Sequence, residues 1–98
     1  MRLQKSELKL AVREAVGKYL DLETYEVFIF GSEAAGTATA QSDIDIGIRG
    51  PKPVSKPVLQ RIRDELEAVR TLRIFDVVDL TVTDPSFQKK ALQTAERI

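Results

Sequence analysis

Asp43 and Asp45 stand at alternate positions of a run that otherwise reads as a β-strand, DIDIGI, residues 43–48. Alternation puts Ile44, Ile46 and Ile48 on one face and Asp43, Asp45 and Gly47 on the other. Strands normally exclude Asp, so two on one face require a reason. At a rise of about 3.3 Å per residue their Cα atoms lie roughly 6.5–7 Å apart, and the carboxylates repel unless a cation sits between them. Magnesium suits that position: a hard cation that takes oxygen ligands and keeps waters or substrate phosphates in its shell. Upstream, the hydrophobic run YEVFIF ends at Gly31-Ser32. A glycine after a strand lets the backbone approach an anion, and the amides of a short following helix can bind phosphate. Ser32 adds a hydroxyl donor. Alone, a Gly-Ser pair is an ordinary turn and two alternating acids are an ordinary wet strand face. In this order they point to a metal-bound nucleoside triphosphate, with phosphates on Gly31 and Ser32 and magnesium on Asp43 and Asp45.

Composition narrows the chemistry further. The chain of 98 residues contains no cysteine and no histidine, which removes disulfides, thiolate and imidazole catalysis and typical zinc sites. Fifteen basic and fifteen acidic residues cancel, so no overall positive field attracts nucleic acid, and direct nucleic-acid binding is not expected. Any anionic ligand must be held locally or through metal. No apolar run approaches the ~20 residues that span a bilayer, and the N-terminus lacks a signal-peptide core, so a cytoplasmic protein without a membrane partner is expected. The length fits one domain, residues 1–98, with a single modest core.

Hydrophobic spacing predicts helix, strand, strand, helix, strand, helix. Ser6 is a cap for a first helix running to about Leu20, with Leu8, Ala11, Val12, Ala15, Val16, Tyr19 and Leu20 recurring at helical spacing. Tyr25–Phe30 and Asp43–Ile48 are strands. The triple-proline segment Arg49–Pro57 is a loop, after which Ser55 caps a helix that tolerates Pro57 in its first turn and buries Leu59, Ile62, Leu66 and Val69. Arg73–Val82 is a third strand. Asp84 caps, with Pro85 following, a helix expected to end the chain. The class is α/β (α+β): a small mixed sheet flanked by helices.

Gly31-Ser32, ten intervening residues and Asp43-Ile-Asp45 resemble the signature of the DNA polymerase β-like nucleotidyltransferase superfamily. The short chain and GSEAAGTATAQSDIDIGI are most similar to its minimal nucleotidyltransferases, the MNT or MntA-type antitoxins paired with HEPN-domain toxins. The resemblance implies a polymerase β-like fold and transfer of AMP from ATP, with two Mg2+ ions, to a tyrosine hydroxyl of a cognate HEPN toxin, with which the chain would form a hetero-oligomer. It also implies a third metal carboxylate on the next strand, in FDVVDL. Strand parity groups Asp76 with Ile74, Val78, Leu80 and Val82, and Asp79 with the less apolar set Phe75, Val77 and Thr81, which favours Asp79. Register with the family pattern favours Asp76. The catalytic and metal-binding set implied by the resemblance is thus Asp43, Asp45 and Asp76.

One departure bears on activity. Where the family turn usually carries two arginines, this chain has Glu33 and Ala35. A carboxylate 4 Å from a phosphate charge costs about 4 kcal/mol at an effective dielectric near 20. The alternative function is therefore a catalytically weak or inactive antitoxin that neutralises a partner protein by covering it.

Overall fold

A computed structural model describes residues 4–31, 36, 43–69 and 74–98. Among these, helices α1 (Lys5–Gly17), α2 (Lys56–Glu67) and α3 (Pro85–Leu92) flank four strands: β1 (Glu26–Phe30), β2 (Ile44–Arg49), β3 (Phe75–Asp79) and β4 (Glu96–Arg97). The sheet order is β3-β2-β1-β4. β1 is antiparallel to both β2 and β4, whereas β2 and β3 run parallel, so the sheet is mixed, as expected. A parallel pair needs a crossover, and α2 supplies it between β2 and β3.

The isoleucines of β2 organise the larger core. Ile44, Ile46 and Ile48 are fully buried and share one face of the sheet with Val27, Ile29 and Val77. Onto this face pack Leu8, Val12 and Val16 of α1 and Ile62 and Leu66 of α2. Burying one such aliphatic side chain contributes about 1.5–3 kcal/mol, so this layer dominates the stability of the fold. The described residues cover the opposite face only in part. There Phe28, Phe30, Leu80 and Ala91 form a smaller cluster beneath α3. Gly47 lies on this second face, and a Cβ there would meet Leu80 Cδ1 at 2.6 Å and Phe30 Cε1 at 3.4 Å. Glycine is what lets Leu80, in the turn after β3, settle so closely on β2.

Local signals set most element ends. Ser55 Oγ accepts the amide of Val58 at 3.4 Å, with Pro57 in the first turn of α2. Asp84 accepts the amide of Ser86 at 2.8 Å at the start of α3. Four expectations are corrected. The first helix is capped at Gln4 rather than Ser6, because Glu7 reaches back to accept the Gln4 amide at 3.3 Å. It also stops at Gly17, where the amides of Tyr19 and Leu20 both turn back onto the Val16 carbonyl. The third strand ends at Asp79, not Val82, because Thr81 N donates to the Asp79 side chain at 3.0 Å and pulls the chain into a turn. The chain does not finish in a helix: after α3 it returns as β4, pairing Phe28 with Arg97 and Ile29 with Glu96. Lys5 and Lys9 of α1 form ion pairs with Glu96, tying this edge strand to the first helix. No helix among the described residues is long and apolar enough to cross a membrane.

Candidate functional site

The half-covered face of the sheet carries the candidate site. In the parallel β2–β3 ladder Asp45 is the Cα partner of Asp76, and in the antiparallel β1–β2 ladder it is the partner of Phe30. Directly paired residues point to the same side, with strands about 4.8 Å apart, so Asp76, Asp45 and Phe30 form a row across three strands. Ile44 N donates to Ile74 O at 2.8 Å, which fixes this register at the very start of both strands. Asp43 immediately precedes β2. It is exposed, as is Asp76, while Asp45 between them is half-buried.

The electrostatics of the row are unfavourable as it stands. Asp45 titrates above its ordinary value, first because burial penalises its charge, then because Asp76 and Asp43 repel it. The ion pairs among the described residues lie elsewhere, on Glu26, Glu65 and Glu96. A fold that accumulates negative charge in this way is complementary to cations. No group of three acidic side chains among the described residues is already drawn in around one ion position. Magnesium does not require such a cage, because it keeps several waters and completes its shell with substrate phosphates around one or two carboxylates. The donor set, hard oxygens at one end of the sheet, fits that ion.

Gly31 adjoins the row from β1. Its φ is +68°, a left-handed conformation that favours glycine. A Cβ at this position would run into the Asp45 carboxylate, with Oδ2 nearest and Cγ at 3.2 Å. The anion that the Gly31 backbone approaches in this structure is therefore the side chain of Asp45. Ser32, expected as a phosphate donor, lies outside the described residues.

Asp79 has a different task. It is buried, and its carboxylate accepts the amides of Val54 at 2.8 Å and Thr81 at 3.0 Å. Thr81 Oγ1 in turn accepts the Gly50 amide at 3.1 Å. These bonds fasten the proline-rich loop to the C-terminal end of β3, whereas Asp45 and Asp76 lie toward the N-terminal ends of β2 and β3. Asp79 points away from the face that carries Asp45. The apolar set that parity groups with Asp76 belongs to the second face, where Leu80 joins the small cluster beneath α3. The signal for Asp79 was present in Asp79-Leu-Thr81, a side chain placed to bond the amide two residues on.

Comparison with known proteins decides the family. The family profile described as "Polymerase beta, Nucleotidyltransferase" matches residues 16–98. The chain belongs to this family. No curated protein matches the sequence. Among solved structures, this nucleotidyltransferase domain is similar to a chain of a toxin–antitoxin crystallised with AMP-PNP, with a TM-score of 0.77 and 17% identity. That match covers 91% of this chain and 70% of the other. It is also similar to a chain of the toxin–antitoxin MntA-HpeT bearing two aspartate-to-glutamate substitutions, with a TM-score of 0.74, 12% identity and the same coverages of 91% and 70%. A third likeness, to MntA-HpeT with a tyrosine-to-alanine substitution, has a TM-score of 0.70 and 17% identity and covers 99% of this chain and 72% of that one. The polymerase β-like fold expected from the Gly-Ser…Asp-Ile-Asp pattern is the fold observed.

Proposed function

We propose that this nucleotidyltransferase domain is the antitoxin of a toxin–antitoxin pair, and that it transfers AMP from ATP to a hydroxyl of a HEPN-domain toxin, a tyrosine by the sequence resemblance. The observation that carries this reading is the in-register pairing of Asp45 with Asp76, beside Asp43, at one end of the sheet of a chain in this family. Two likenesses support it: a toxin–antitoxin holds AMP-PNP, and the two substituted aspartates of MntA-HpeT are two positions apart, the spacing of Asp43 and Asp45. A cytoplasmic setting accords with the absence of cysteine.

Asp43, Asp45 and Asp76 are the residues that would hold two Mg2+ ions, which when bound would supply charge neutralisation on the phosphate oxygens and a lower pKa for the attacking hydroxyl. Gly31 and Ser32 orient the β- and γ-phosphates through backbone amide and hydroxyl donors. Asp76, exposed at the edge of the row, receives the proton of the incoming hydroxyl on a carboxylate oxygen. The acceptor oxygen bonds to the α-phosphorus as the bond to the α–β bridging oxygen breaks, and pyrophosphate leaves. No histidine is needed as a general base, and the chain has none.

A specific feature favours one other reading. Glu33 stands in the sequence where family members usually carry arginine, which suits a protein that neutralises its toxin by covering it. Intact-mass spectrometry of the purified partner toxin separates the two. Incubation with this chain, ATP and Mg2+ is expected to add the mass of AMP to the toxin. Neutralisation without any mass gain would establish the covering mechanism and overturn catalysis.

A further inference from the structure

The row of paired residues continues beyond the carboxylates. Phe30, the Cα partner of Asp45, meets Phe87 of α3 with ring centroids 6.3 Å apart and ring planes at 88°. Phe30 is buried, but Phe87 keeps 44% of its surface exposed. Among the described residues the other large exposed apolar side chains are Leu10, Ile74 and Val82, none of them aromatic. An aromatic ring is thus braced beside the half-covered face, about one strand spacing (~4.8 Å) and one ring contact from Asp45.

The geometry points to Phe87 as the surface on which the nucleobase of the bound triphosphate stacks. This rests on the nucleotidyltransferase reading and extends it to the uncharged half of the substrate. A nucleoside triphosphate has an anionic tail and a flat, aromatic head, and the site offers a matching pair of ends. The tail belongs with metal at Asp43, Asp45 and Asp76 and with the Gly31 turn. It is kept from the α3 side because Asp84, the N-cap, already sets a carboxylate against the positive end of that helix. The remaining aromatic head meets Phe87. Stacking on a phenyl ring tolerates any base and favours the larger purine surface, so the contact selects nucleotide over bare polyphosphate rather than one base by hydrogen bonding.

The test compares Mg-ATP with magnesium tripolyphosphate, which shares the anionic tail and lacks the base. By calorimetry, Phe87→Ala is expected to weaken ATP binding about 5- to 100-fold and to leave tripolyphosphate binding unchanged. Phe87→Leu, which keeps an apolar contact with Phe30, should lose most of the same affinity and guards against a folding defect. The chain contains no tryptophan, so Phe87→Trp introduces a unique reporter whose emission ATP should quench and tripolyphosphate should not. Unchanged ATP binding by Phe87→Ala, equal loss of both ligands, or an indole signal that answers both alike would each overturn the assignment while leaving the nucleotidyltransferase reading in place. Unchanged ATP binding with a weakened toxin complex would make Phe87 a protein contact instead. A wild type that binds neither ligand would contradict the nucleotidyltransferase reading itself, and the base contact with it.

Discussion

The backbone of Gly31 rests against the carboxylate of Asp45, in space that any side chain at position 31 would occupy. The residue before Gly31, Phe30, pairs with Asp45 across the ladder, so β1 delivers Gly31 directly to the acidic row. Gly31 and Asp45 are in this sense one object, and a change at either should be felt at the other.

Gly31→Ala is accordingly expected to destabilise the fold and to lose nucleotide binding. The left-handed φ alone costs about 1–2 kcal/mol for a residue with a Cβ, and the collision with Asp45 adds to it. In an Asp45→Ala background the steric part disappears, so the cost of Gly31→Ala measured by urea unfolding should shrink toward the backbone value. Identical costs in both backgrounds would show that the two residues do not press on each other.

The carboxylates should separate into two classes by their effect on ligand-free stability. Burial and the like charges of Asp76 and Asp43 raise the Asp45 pKa, so its folded state binds a proton more tightly than the unfolded chain does. The favourable contribution is present below the unfolded value of 3.8 and is lost as pH rises through the raised folded value, leaving repulsion at neutral pH. Asp45→Asn and Asp76→Asn are therefore predicted to hold or raise the melting temperature of the ligand-free protein at pH 7 while removing activity. Asp79→Ala should lower it, because the amides of Val54 and Thr81 lose a charged acceptor, at a cost of about 2–4 kcal/mol. Asp79→Asn retains one oxygen and should cost less. Melting curves of the variants that rank Asp79→Ala as the most stable would refute the division.

These two classes also mark how far the sequence could be followed. Ser55 with Pro57, Asp84 with Pro85, and the isoleucine alternation of β2 depend on neighbours in the chain, and each sits in the structure as its local chemistry required. Asp76 and Asp79 differ through something non-local, namely which sheet face α3 covers and where that cover stops. Parity weighs neither that cover nor the loop that Asp79 fastens. β4 escaped notice because two residues, Glu96 and Arg97, carry no alternation; the strand exists through the bonds of β1 and the lysines of α1. The glycine after β1 was legible as a special position, but its contact with Asp45 depends on strand register that sequence alone does not reveal.

Acid should loosen the C-terminal helix first at its cap. Hydrogen bonds from the Ser86 hydroxyl, and then from its amide, hold Asp84 below the ordinary 3.8. A lowered folded pKa gives stability that is present above the unfolded value and is lost as pH falls through the folded one. Wild-type stability is expected to drop below about pH 4, and Asp84→Ala should flatten that part of the profile while lowering stability at neutral pH. Parallel curves for the two proteins through acid would contradict a charged cap.

Glu33→Arg should tighten Mg-ATP binding. A guanidinium on phosphate forms charge-assisted hydrogen bonds worth roughly 1.5–3 kcal/mol, which corresponds to about ten- to a hundredfold in affinity. Calorimetry of the wild type and the variant measures it directly. Equal affinities would mean that position 33 does not face the phosphates.

Transfer of label from α-labelled ATP to the purified partner toxin, followed at matched folded fraction for the wild type, Asp45→Asn, Asp76→Asn and Asp79→Asn, tests the acidic row most directly. The wild type and Asp79→Asn should label the toxin, whereas Asp45→Asn and Asp76→Asn should not. Labelling by Asp76→Asn at the wild-type rate, with Asp79→Asn silent, would contradict the assignment of the Asp45–Asp76 pair as the reacting end of this fold.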